Sequence, residues 1–144
     1  MKIYISGVMQ GSIKGQGIQG QGYRQVISDA VKIRYPNAEI YDPFSHHPNS
    51  VTYDDQRSRQ ALFEMADAAA SADIVIAYLP QASMGTALEM IRSYDNGKII
   101  ISISPMEKNW FIYAVSAKIF LSPDDFCAWI HQTHLAELIA EPSE

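Results

Sequence analysis

The stretch ADIVIAYLPQASMGTALE, residues 72–89, carries the fold in miniature. Asp73 to Leu79 is a short, almost wholly apolar run, which predicts a central strand buried on both faces. Pro80 to Ser83 makes a tight connection, and a helix follows from about Met84 to Asn96, ended by Asn96-Gly97 as a left-handed C-cap. Lys98 to Ser104 returns to the strand pattern. Two strands joined through a helix form a parallel pair, because parallel neighbours need a crossover.

The alternation extends in both directions. Lys2 to Ser6 predicts a first strand, closed by Gly7, and the glycine-rich GSIKGQGIQGQG of residues 11–22 separates it from the helical pattern Tyr23, Val26, Ile27, Ala30, Val31. That helix should stop before Pro36, and Ala38 to Tyr41 gives a second strand running into the turn signal Asp42-Pro43. Residues 44–53 are expected as loop. Asp54 or Asp55 caps a third-strand-preceding helix with Leu62, Met65, Ala66 and Ala69 facing inward. After Pro105 come a short helix near Asn109 to Val115, a fifth strand at Lys118 to Leu121, and a last helix opened by Ser122-Pro123-Asp124-Asp125. The expected fold class is α/β: a single domain over residues 1–144 with a doubly wound, five-stranded parallel sheet and helices on both faces, flavodoxin- or Rossmann-like. Ligands of such sheets bind at the carboxyl ends of the strands, which points to the loops after Ser6, Leu79 and Ser104.

Composition narrows the partners. The chain has 144 residues, 47% of them hydrophobic, and a formal charge of −5 with a sequence pI of about 5.3. An acidic chain of this kind argues against nucleic acid polymers and acidic membranes, which are met by basic faces, and leaves a small ligand as the expected partner. Cys127 is the single cysteine, so no internal disulfide is expected, and the opening MKIYIS has no charged and apolar leader pattern. Both fit a reducing cytoplasm. The longest apolar runs are far below the roughly 20 residues of a membrane span.

The connection after the third strand places Ser83 and Gly85 at a helix N-terminus aimed at the expected crevice, where backbone N–H groups and the helix dipole favour an anion. Glu89 follows six residues after Ser83, on the second turn of that helix, between Leu88 and Met90. Read from pattern alone, Ser83 is equally an N-cap, Gly85 a close-packing residue and Glu89 an exposed helical carboxylate.

Tyr4-Ile-Ser-Gly7 followed by the block from Ala72 to Glu89 resembles the nucleoside 2-deoxyribosyltransferase family and the related deoxynucleoside 5′-monophosphate N-hydrolases, with order and spacing kept to about Trp110. The resemblance implies an enzyme that cleaves the N-glycosidic bond, with Glu89 attacking the anomeric carbon to form a glycosyl ester that water or another base resolves. It implies that Tyr4 helps position the nucleophile. It also implies substrate contacts from Ser6, Gly7, Met9 and Gly11 of the first turn and from Ser83 and Gly85, with Ser83 leaning towards a 5′-phosphate where similar transferases carry an acid. Two positions depart from the pattern. Gln10 stands where similar hydrolases use arginine, and Met65 stands where an aspartate assists the leaving base, so Glu64 or Asp67 is the candidate acid. Asn109 and Trp110 are candidates for completing a neighbouring subunit's pocket, a capping Asn and a core Trp being the blander reading. No metal or organic cofactor is implied; a homo-oligomer is. The alternative is a catalytically inactive nucleotide-binding or sensing domain, motivated by Met65.

Other signals carry less. Gly15-Gln-Gly17-Ile-Gln-Gly20 matches a dinucleotide fingerprint but starts eight residues after the strand, so it reads as a flap from which Gln16, Gln19 and Gln21 could contact a base. His46-His47, and His131 with His134 on the last helix, lack cysteine or acidic partners at zinc spacing. Cys127, flanked by Phe126, Ala128 and Trp129, reads as a small core residue.

Overall fold

The central apolar run forms β3 (Ile74–Tyr78), with β1 (Lys2–Gly7) on one side and β4 (Ile99–Ile103) on the other. A computed structural model describes residues 1–9, 20–106 and 108–140. Two three-residue strands, β2 (Glu39–Tyr41) and β5 (Lys118–Phe120), close the edges, giving an all-parallel sheet in the order β2-β1-β3-β4-β5. The five-stranded parallel sheet is the one expected from the sequence, and the order places its switch point between β1 and β3.

Alternation along β1 sorts its side chains between two cores. Ile3 and Ile5 face α1 (Gly22–Arg34) and α6 (Pro123–Ile130), where Ile27, Val31, Phe126 and Ile130 are buried. Tyr4 packs on the opposite face with Val75, Ala77 and Met90, under α3 (Asp55–Ser71) and α4 (Met84–Asp95). Ser6 is two residues on from Tyr4, so it shares that face.

The helix ends follow their capping residues. Asp54 accepts the Arg57 N–H at 2.7 Å and opens α3, while Ser83 accepts the Thr86 N–H at 3.3 Å and opens α4. Asn96 closes α4 and is followed by Gly97 at φ +68°, the left-handed position expected there.

Three expectations need correction. Residues 44–53 are not simply loop: Asp42 accepts the Phe44 N–H and caps α2 (Pro43–His46), and Ser50–Thr52 form a 3₁₀ turn. Local capping by an Asp-Pro pair outweighs the polar composition. The last helix is broken into α6 and α7 (Leu135–Ala140), so His131 and His134 lie at the interruption; the Tyr35 hydroxyl holds α7 by accepting the Leu135 N–H at 2.7 Å. Trp110 is no core residue: it opens α5 (Trp110–Val115) and is 88% exposed. Among the described residues no helix is long and apolar enough to cross a membrane.

Candidate active site

The inward stripe of α4 is Thr86, Glu89, Met90 and Ser93, all buried. Helical spacing therefore turns Glu89 towards the sheet at the switch point, where it is 6% exposed, which excludes the exposed-carboxylate reading. The Ser6 hydroxyl donates to Glu89 Oε2. The register that places Ser6 beside Ala77 keeps this part of the sheet surface small. Burial raises the Glu89 carboxyl from its ordinary 4.5 to about 7, opposed by the hydrogen bond from Ser6, by the nearby Tyr4 hydroxyl and by the charge of Arg24. The Tyr4 hydroxyl is wholly buried and has no partner within good hydrogen-bond geometry, yet it lies close enough to feel the carboxylate. Burial first, then Glu89, push this phenol far above its usual value, so it stays protonated and available as a donor.

Aromatic stacking continues outward from Tyr4. Register pairs it with Tyr41, and the two rings lie 5.4 Å apart at 11°; His46 of α2 covers Tyr41 at 4.2 Å and 13°. On the other side of Glu89 opens a cleft of about 270 Å³. Gly7 and Met9 form one wall, Ser83, Gly85 and Thr86 a second, and Tyr53, Ser58, Leu62 and Met65 a third. An adjoining, more apolar cleft of about 400 Å³ shares Ser83 and Met84 and runs to Asn109, Phe111 and Ile112.

The structure thus gathers Glu89, Gly7, Met9, Ser83 and Gly85 around one cleft, with the buried Ser6 bonded to Glu89 and Tyr4 close to the same carboxyl; Gly11, with Gln10, Gln16 and Gln19, lies outside the described residues. Ser83 is an N-cap as well as a cleft residue: its oxygen accepts from Thr86, which leaves the hydroxyl proton for a ligand. A side chain at Gly85 would meet nothing within 4 Å, so close helix packing does not explain that glycine. Gly7 is different, since an added Cβ would stand 2.2 Å from the Tyr23 hydroxyl. Asn109 caps α5 by accepting from Phe111 and Ile112 and borders the second cleft. Gln21 donates to the Val8 carbonyl and accepts from Arg24, facing the β1 turn.

The two candidate acids sit apart from this group. The cleft-facing residues of α3 are Ser58, Ala61, Leu62 and Met65. Helical geometry puts Asp67 on the opposite side and Glu64 on the flank. Asp67 is paired with Arg92 at 2.7 Å across the α3–α4 surface, and Glu64 with Arg57 at 3.3 Å. Glu64 is near enough to bear on Tyr41 and His47.

Sequence reasoning missed Arg24, Thr86 and Ser58. Arg24 falls on the apolar stripe with Ile27 and Val31, and a cation on a buried stripe is the signal that could have found it. The Thr86 hydroxyl, buried and without a hydrogen-bond partner, lines the cleft three residues before Glu89 on the same stripe. Ser58 had no signal beyond one helical turn's distance from the Asp54 cap.

Among the described residues no group of three or more His, Cys, Asp or Glu could hold a metal ion. His47 stacks edge-on to Tyr53 and shares a hydrogen bond with its hydroxyl. Cys127 is half-buried against the α1–α6 core, where burial raises its thiol.

No protein-family model and no curated protein sequence matches the chain. Solved structures do. A 2-deoxyribosyltransferase from Bacillus psychrosaccharolyticus superposes with a TM-score of 0.67 over 100% of both chains at 19% identity. The chain has the nucleoside 2-deoxyribosyltransferase fold. A conserved protein from Enterococcus faecalis V583 gives a TM-score of 0.59 at 15% identity, covering 92% of this chain and 98% of that one. The CMP N-glycosidase of Clostridium botulinum gives 0.53 at 15% identity, covering 92% and 100%. At these identities the likeness establishes the deoxyribosyltransferase-type sheet and helices, so the chemistry has to be argued from the cleft.

Proposed function

We propose that this protein cleaves the N-glycosidic bond of a nucleoside, deoxynucleoside or its 5′-monophosphate through a covalent glycosyl-Glu89 intermediate. The observation that carries the reading is the buried Glu89 carboxyl, held by Ser6 and set beside a cleft at the switch point of the sheet. The two structural neighbours named for nucleoside chemistry support the same reaction class.

In the first step a Glu89 carboxylate oxygen bonds to C1′ while the C1′–N bond breaks, the bonding pair leaving with the base, which takes up a proton. In the second, water or another base attacks C1′ and gives up a proton to the group that protonated the leaving base, the ester C–O bond breaks and Glu89 returns as carboxylate. The buried Tyr4 and Ser6 hydroxyls orient the attacking oxygen. Ser83, the unpartnered Thr86 hydroxyl and the first turn of α4 form the wall for the 5′-hydroxyl or phosphate. Glu64 is the better-placed acid for base departure, since Asp67 lies on the far side of α3. Exposed Met84, Trp110 and Tyr113 beside the second cleft support a homo-oligomer whose neighbour borders the site.

The test is chromatographic base release from ribo- and deoxyribonucleosides and their 5′-monophosphates, with and without an acceptor base, for the wild type and Glu89→Ala. Release from monophosphates alone, abolished by Glu89→Ala, is the expected result; base exchange on free nucleosides would assign a transferase. Met65 lines the cleft where a relative's acid would stand, and this favours one second reading, a binding or sensing domain. Ligand binding without Glu89-dependent release would select it.

A further inference from the structure

The edge strand β2 ends at Tyr41, opposite Tyr4, whereas β1 runs on to Gly7. The carbonyls of Ile5 and Gly7, on either side of Ser6, therefore extend past the β2 ladder. Buried carbonyls need donors. Arg24, 3% exposed, supplies them: Nη1 donates to the Ile5 carbonyl at 3.0 Å and Nη2 to the Gly7 carbonyl at 3.1 Å. Its Nε donates to Gln21 Oε1 at 2.6 Å, and Nη1 also pairs with Asp42 at 3.1 Å.

Resting on the assignment of Glu89 as nucleophile, we propose that Arg24 is a positioning residue of the site, its guanidinium fork fixing the carbonyls that bracket Ser6 so that the Ser6 hydroxyl is presented to Glu89. The pairing with Asp42 extends the same hold to Tyr4. Asp42 accepts the Phe44 N–H and its carbonyl meets His46 Nδ1, which sets α2; His46 stacks on Tyr41, and Tyr41 on Tyr4. Ser6, which donates to the Glu89 carboxyl, and Tyr4, which lies beside it, thus trace to one part-buried ion pair. A lysine could keep the charge but not the planar fork that reaches two carbonyls.

Electrostatics points the same way. The titratable and charged groups bearing on Glu89 are Tyr4 from β1, Arg24 and Tyr23 from α1 and Tyr41 from β2, with Glu64 of α3 bearing on Tyr41 in turn. Of these Arg24 brings positive charge, and it favours the ionised carboxylate.

A purely structural Arg24 would alter stability alone. Glu89 is titrated by ¹³C NMR of glutamate-labelled full-length protein, assigned with Glu89→Gln, in the wild type, Arg24→Lys and the charge-neutral double variant Arg24→Met/Asp42→Asn. Base release against pH and thermal unfolding are measured on the same samples. In the folded double variant the Glu89 titration is expected to rise by about one pH unit, carrying the acid limb of kcat/KM with it, a roughly tenfold loss at pH below both values. Arg24→Lys keeps the charge and is expected to lower kcat by about tenfold, with KM and the titration nearly unchanged.

Wild-type titration and kcat in both variants would overturn the proposal. If the double variant does not fold, Arg24→Lys decides by its kcat alone. If Glu89→Ala still releases base, the nucleophile assignment fails. The NMR titration then still reports whether Arg24 sets the state of that carboxyl.

Discussion

Glu89 is a carboxyl whose proton affinity folding has changed, and two measurable effects follow. As the proposed nucleophile it must be ionised, so kcat/KM is expected to fall about tenfold per pH unit below about 7 and to level off above it. The same shift couples to stability. Folding raises the carboxyl from 4.5 to about 7, so the native state keeps a proton that the unfolded chain has already released. This stabilising contribution is complete below pH 4.5 and is lost as pH rises through 7, in total about 3 kcal/mol. Glu89→Gln is therefore expected to unfold at higher temperature than the wild type at pH 8, with the gap shrinking at pH 5, as thermal melts at the two pH values would show. The candidate acids separate at this scale too. Asp67→Asn, which loses an exposed pair, is expected to leave kcat within about twofold, whereas Glu64→Gln is expected to lower kcat for substrates with poor leaving bases.

Among the elements, β1 and α4 were legible because each carries its signal locally: an apolar run closed by Gly7, and a Ser83 cap with an Asn96-Gly97 end. The pairing of Ser6 with Glu89 was not, since it spans 83 positions and depends on which face of β1 meets α4. Arg24 escaped notice for a similar reason: its carbonyl partners are exposed to it only because β2 is short. The interruption before α7 had no strong breaker in the sequence and depends on the Tyr35 hydroxyl, 100 positions away. Close approach at the end of β1 gives a test at this scale. Gly7→Ala would push its methyl into the Tyr23 ring and is expected to cost about 2 kcal/mol in denaturant unfolding. Combining it with Tyr23→Leu is expected to cost less than the sum of the two single changes, because the clash is shared.

Across the whole molecule, the order β2-β1-β3-β4-β5 explains why the cleft lies where it does, and this much the alternation of strands and helices made readable. The sequence marks Trp110 as a candidate for a neighbouring subunit's pocket, but the exposure of Trp110 and Tyr113 on α5 emerges only once Ile112 and Val115 take the inward positions. The proposed self-association through Met84, Trp110 and Tyr113 is expected to be lost in Trp110→Glu/Tyr113→Glu, seen as a lower mass in sedimentation at unchanged thermal stability of the monomer fold. The length of the outermost strands bears on how any such assembly can form. With only three residues in each of β2 and β5, neither flank of the sheet offers a template long enough for another chain to add itself through backbone hydrogen bonds. The proposed self-association would therefore have to run through side chains, and the short flanks guard the sheet against the runaway edge-to-edge growth that leads to fibrils.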